Sequence, residues 1–131
     1  MANVIYPKFK EALLKGDVDL DTATLAVALI DTADYTYNSA HDFYNDAAAG
    51  EVATVDLTSV TITNGLIDAA DAVFTAVTGD VSEALVLYIN TGNDATSQLV
   101  AYFDTGVTGL PVTPNGANIN ITWNASGIVQ L

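Results

Sequence analysis

The chain has 131 residues, a net charge of −13, no cysteine and one histidine. That length predicts one domain with a real core, and the missing cysteines exclude disulfides and thiolate metal sites. Lys8, Lys10 and Lys15 are the only basic residues, so the chain lacks what neutralises phosphate, which excludes nucleic acid and anionic membrane as partners.

Residues 1–16, MANVIYPKFKEALLKG, carry the one convincing helix candidate. Pro7 stands where a first-turn proline belongs, and Phe9, Ala12 and Leu13 line one face. Gly16 supplies the stop, with Lys15 near the negative end of the dipole. A helix of about two turns is marginal alone and must pack on something. The segment lacks the long apolar stretch of a signal peptide. The longest apolar runs, Leu25 to Ile30 and Ala84 to Ile89, are far shorter than the ~20 residues of a membrane span. A soluble chain without an export signal is expected, divided into an amphipathic segment (1–16) and a β domain (17–131).

Asp17, Asp19 and Asp21 alternate with Val18 and Leu20. Residues 22–31 read as a buried strand and 33–51 as irregular, with a helical turn from Ser39 to Asp46 capped by Ser39. Residues 52–63 read as a strand, with Val60 and Ile62 alternating against Thr61 and Thr63. Asn64-Gly65 is a hairpin turn, and Leu66, Ile67, Val73, Phe74 and Val77 form the return. Residues 83–90 and 98–104 are strands joined by turn chemistry. Residues 117–123 alternate Ile119, Ile121 and Trp123 against Asn118, Asn120 and Thr122, a strand with one face buried. Gly127 precedes a last short strand. Many short strands at this spacing predict an all-β, mainly antiparallel fold, a β-sandwich or jelly roll with a short N-terminal helix. Three strand ends share a pattern: Ile30-Asp31-Thr32-Ala33, Ile89-Asn90-Thr91-Gly92 and Phe103-Asp104-Thr105-Gly106. Each is read as an Asx or Thr side chain satisfying backbone groups as the chain turns.

Catalytic chemistry has little to work with. Ser39, His41 and Asp42 can be written as a triad, but sequence neighbours rarely meet its geometry and no G-x-S-x-G elbow is present. Asp17, Asp19 and Asp21 open like a calcium loop, yet Thr22 stands where its glycine belongs and Ala28 where its glutamate belongs. Phosphate cradles are absent. Asn120-Ile121-Thr122 and Asn124-Ala125-Ser126 match the glycosylation pattern by chance. No enzyme, cofactor or metal is expected. The aromatic stretch with Tyr35, Tyr37, Phe43 and Tyr44 has two readings: it covers one end of the β domain, or it is an interface patch.

The stretch Tyr6-Pro7-Lys8-Phe9, Leu13-Leu14-Lys15-Gly16, Asp21, Val27-Ala28-Leu29-Ile30-Asp31-Thr32, Tyr35-Thr36-Tyr37 and His41-Asp42-Phe43 resembles small virion structural proteins encoded among the head genes of tailed bacteriophages. Ala84-Leu85-Val86-Leu87-Tyr88 and Leu110-Pro111-Val112-Thr113-Pro114-Asn115-Gly116, with Ile119 and Ile121-Thr122-Trp123, continue the likeness over most of the chain. The resemblance implies a capsid decoration, or cement, protein: a β-rich dimer or trimer on the outer capsid surface that binds the major capsid protein. It brings no active-site residues. Such proteins often carry basic residues in their C-terminal half, which this chain lacks. The expected capsid contact is therefore the basic leader, with Tyr6, Lys8, Phe9, Lys10 and Lys15. The alternatives are a glycan-binding fibre or adhesin module, using Tyr35, Tyr37, His41 and Asn45, and a tail or neck subunit of the same virion.

Overall fold

The two six-residue apolar runs become strands, and they pair with each other. In the computed structural model, which describes residues 3–131, Leu25–Ile30 (β2) runs antiparallel to Ala84–Ile89 (β7), in register from Leu25 opposite Ile89 to Ile30 opposite Ala84. The elements before and between them are β1 (Val4–Ile5), α1 (Pro7–Lys15), β3 (Glu51–Asp56), β4 (Thr61–Thr63), β5 (Leu66–Asp68) and β6 (Ala72–Phe74). After them come β8 (Leu99–Phe103), β9 (Ile119–Ile121) and β10 (Val129–Gln130). The strands fall into a five-stranded sheet in the order β1-β8-β7-β2-β3, a three-stranded sheet β10-β5-β4 and a pair β6-β9. Every pairing is antiparallel. The chain is mainly antiparallel β with one short N-terminal helix. Among the described residues no helix is long and apolar enough to cross a membrane.

Every residue of β2 and β7 is buried, so both faces of the central sheet need a cover. Directly opposed residues share a face, which places Ala26, Ala28, Val86, Tyr88 and Tyr102 together. The stretch after β2 covers that face. Tyr44 stacks on Tyr88 with ring centroids 4.1 Å apart, and the rings of Tyr35 and Tyr37 lie 6.3 and 5.9 Å from Tyr102. The opposite face carries Leu25, Leu85, Leu87 and Phe103. There Trp123 meets Phe103 at 6.3 Å, and the small sheets add Ile67, Phe74, Ile121 and Val129 to the same core.

The N-terminal segment is woven into this core. Val4 and Ile5 pair with Tyr102 and Ala101, and the Tyr6 N–H donates to the Val100 carbonyl at 2.9 Å. Pro7 then opens α1, whose Phe9 and Ala12 are buried. Gly16 closes it at φ +74°, where the Gly16 N–H reaches Leu13 and the Asp17 N–H reaches Ala12. This is the glycine-closed C-terminus that the sequence predicts. The helix that had to pack on something packs against β8 of the protein's own sheet, and Tyr6 and Phe9 belong to the same buried core as β2 and β7.

Asn64 and Gly65 adopt φ +53° and +79° between Thr63 and its partner Leu66, the two-residue loop that Asn-Gly favours. The expected strand over 52–63 is two strands, parted where Leu57 turns inward and Ser59 takes φ +54°. The alternation of Val60 and Ile62 does not mark a buried face. Strand β4 is an edge paired only with β5, and Ile62 is exposed. The helical turn expected from Ser39 shrinks to a 3-10 turn at Tyr44–Asp46 with no side-chain cap. A second 3-10 turn follows at Ala48–Gly50.

The recurring strand-end pattern does what turn chemistry requires. Asp31 Oδ1 accepts the Ala33 N–H at 2.9 Å, and Asn90 Oδ1 accepts the Gly92 N–H at 2.9 Å. At the third, the N–H groups of Asp104 and Thr105 go instead to Asn3 Oδ1, across the sheet edge.

Candidate protein-binding surface

A helix that buries one stripe presents its remaining side chains outward, and in α1 those include all three lysines of the chain. Glu11 stands between two of them. Lys15 Nζ donates to Glu11 Oε1 at 2.7 Å and Lys8 Nζ to Oε2 at 3.3 Å. These bonds, Lys15 first, hold the Glu11 carboxyl below its usual range, and Glu11 raises Lys15 in turn. Lys10 has no carboxylate within ion-pair distance among the described residues. Next to it along the helix, Leu14 is 90% exposed, the most exposed large apolar side chain described. The sequence reading missed it. Leu14 lies roughly 140° round the helix from Phe9, off the apolar stripe, and a helical wheel would have shown a leucine on the basic face. Lys10 and Leu14, four residues apart, form an adjacent pair there.

Tyr6 and Phe9 were expected to contact a partner with the lysines. Both are fully buried in the protein's own core, because Tyr6 follows the edge strand β1 and Phe9 is the helix's inward residue. Of the expected contact residues, Lys8, Lys10 and Lys15 are left at the surface.

The aromatic stretch is likewise turned inward. Tyr35 and Tyr44 are buried, which corrects their place in an exposed interface patch. Tyr37 and Phe43 are half-buried. Tyr44 donates to Glu51 Oε1 at 2.6 Å, and burial first, then that bond, raises its pKa well above the usual phenol value. Tyr6 and Tyr35 oxygens lie 2.7 Å apart, and Tyr35 Oη lies 3.1 Å from His41 Nδ1. Of the two readings, covering the fold accounts for Tyr35 and Tyr44.

His41 is thus engaged by Tyr35, and among the described residues no hydrogen bond joins it to Ser39 or Asp42. Asp19 Oδ1 accepts the Asp21 N–H and its Oδ2 accepts the Thr22 hydroxyl, so the D-x-D-x-D stretch is tied up as a turn. The carboxylates that converge among the described residues are Asp31, Asp34 and Asp80, with one oxygen of each within 4.8 Å of the others.

A cleft of about 420 Å³ is lined by Thr32, Thr36, Tyr37, Glu83, Tyr102 and Asp104. Thr32 holds Glu83 Oε2 through both its hydroxyl, at 2.7 Å, and its N–H, at 3.3 Å. Glu83 therefore works as a tie between the end of β2 and the start of β7.

No family model and no curated protein matches the chain.

Proposed function

We propose that this chain is a non-enzymatic virion structural protein that decorates the outer surface of a phage capsid and binds the major capsid protein through the outward face of α1. The observation that carries the reading is the polarity of the surface. Every lysine sits on one exposed helix beside Leu14, while all carboxylates but Glu11 lie in the body that follows. A net-basic attachment helix, braced on the sheet through Tyr6 and Phe9, suits a clamp that stays folded while it holds a neighbour. Many weak copies on a symmetric shell sum by avidity, and an anionic outer body keeps particles apart. The resemblance to tailed-phage head proteins supplies the identity of the partner. A protein inventory of purified particles tests it. The chain is expected at a copy number comparable with the major capsid protein. Recovery at the few copies of a neck, tail or fibre subunit, or absence from particles, would overturn the reading.

One observation favours a second reading, a glycan-binding fibre module. The cleft beside Tyr37 joins aromatic rings to Glu83 and Asp104, a lining that suits sugar hydroxyls. A glycan array separates the two, because a decoration protein binds no glycan.

A further inference from the structure

The cleft between the end of β2 and the start of β7 is lined by a buried side chain whose hydroxyl has nothing to bond to. Tyr102 is 3% exposed and lines that cleft with Thr32, Thr36, Tyr37, Glu83 and Asp104. Among the described residues no group hydrogen-bonds its phenol oxygen. Buried polar groups as a rule have partners, and one left without, at the wall of a cavity, marks where a ligand atom fits. Burial first, then Asp104, Tyr35 and Glu83, raise the Tyr102 phenol to about 12, so the hydroxyl stands in the field of both carboxylates.

Glu83 supplies the charge. Its Oε2 is held by the Thr32 hydroxyl and N–H, which fixes the carboxylate in place. Its Oε1 accepts no hydrogen bond from the described residues. The ion pairs among those residues are Glu11 with Lys8 and with Lys15, so no cation neutralises the half-buried Glu83. The ring of Tyr37, inclined 45° to that of Tyr102 with centroids 5.9 Å apart, makes the aromatic wall. The cleft, at about 420 Å³, is of the size that small ligands occupy.

We infer that this cleft binds a primary alkylammonium group, with Glu83 Oε1 and the Tyr102 hydroxyl oxygen accepting its N–H donors and the Tyr37 ring lying against its methylenes. An ammonium offers three donors and no acceptor, which matches acceptors that lack donors, and its charge compensates Glu83. Asp104 adds to the negative field, and an aromatic face attracts a cation. A neutral sugar in the same cleft would leave the carboxylate charge uncompensated. A hard metal ion asks for about six oxygen ligands or more, beyond what this lining gathers. The ammonium belongs either to a free polyamine or to a lysine side chain of a neighbouring protein. The site uses neither α1 nor its lysines, so its failure leaves the capsid reading standing.

The test follows amide chemical shifts of the full chain as cadaverine or Nα-acetyl-lysine methylamide is added, with pentanediol as the uncharged counterpart. Saturating shifts at Thr32, Thr36, Tyr37 and Glu83 are expected with at least one of the two amines. The tighter amine names the carrier, cadaverine a polyamine and the blocked lysine a protein side chain. Glu83→Gln is expected to weaken binding about tenfold. Tyr102→Phe is expected to weaken it several-fold with an unchanged thermal midpoint, because the hydroxyl has no protein partner to lose. Asp17→Asn removes the same charge outside the cleft and should leave the affinity unchanged. Absence of saturable shifts at the cleft would overturn the inference, as would binding indifferent to Tyr102→Phe. So would pentanediol binding as tightly as the amines, or a loss on Asp17→Asn equal to that on Glu83→Gln, which would mean diffuse attraction to an acidic chain.

Discussion

The phenol oxygen of Tyr6 lies 2.7 Å from that of Tyr35, inside the core. One residue precedes the basic helix, and the other belongs to the stretch that covers the central sheet. Both were candidates for external contacts, and they contact each other. The bond fixes the start of α1 to the cover of the sheet, and Tyr35 passes the connection on to His41.

Removing either hydroxyl tests this junction. Tyr35→Phe strips a partner from both Tyr6 and His41 and is expected to cost about 1–3 kcal/mol, because a buried phenol is left unsatisfied. Tyr6→Phe should cost about 1 kcal/mol. The double variant should be less destabilised than the sum of the singles, as measured by denaturant unfolding. Strict additivity would show that the two oxygens do not interact.

Gly50 is where the cover closes over the end of β2. A Cβ there would meet Tyr35 Cβ at 2.6 Å and the Asp31 carbonyl and Ile30 Cγ2 at 3.1 Å. Gly50→Ala is expected to destabilise by about 1–3 kcal/mol through overpacking, with a lowered thermal midpoint as the readout.

Much of the fold was legible because it follows local rules. The runs at Leu25–Ile30 and Ala84–Ile89, the Asn64-Gly65 hairpin and the Pro7-to-Gly16 helix needed only neighbours in sequence. The division into three sheets was not legible, since short strands such as β6 and β9 find each other across 44 or more residues of chain. Nor was the inward turn of Tyr6, Phe9, Tyr35 and Tyr44: an aromatic in an irregular stretch looks the same whether it faces a partner or the chain's own sheet. Of the candidate site, the concentration of lysines was plain from composition. The exposure of Leu14 was legible too, since a helical wheel sets it off the stripe of Phe9, Ala12 and Leu13.

Burial raises the tyrosines, and this sets an alkaline limit on stability. Burial, first among the causes, lifts Tyr88 and Tyr102 to about 12, from 10.0 when exposed, and pushes Tyr6, Tyr35 and Tyr44 upward too. Above pH 10 the unfolded chain releases phenol protons that the folded chain retains. Stability is therefore full below pH 10 and falls as pH rises toward 12. Tyrosinate absorbance should rise together with loss of sheet signal in circular dichroism over that window. Ionisation of all six tyrosines before any unfolding would contradict the burial.

Tyr44 joins a ring stack on Tyr88 to a hydrogen bond with Glu51. Tyr44→Phe keeps the stack and should cost about 1 kcal/mol. Tyr44→Ala removes both and should cost about 3–5 kcal/mol. Equal losses would mean that the hydroxyl, not the ring, holds the cover in place.

The central claim is that α1 attaches the protein to a capsid shell. Truncating the segment would remove Tyr6 and Phe9 from the core, so the direct measurement is co-sedimentation of expanded capsids with the Lys10→Glu/Leu14→Ser variant, which changes only outward side chains. Wild-type protein is expected to saturate the shells and the variant to stay in the supernatant with an unchanged melting profile. Variant occupancy equal to wild type, or wild-type protein that leaves the shells bare, would contradict the account.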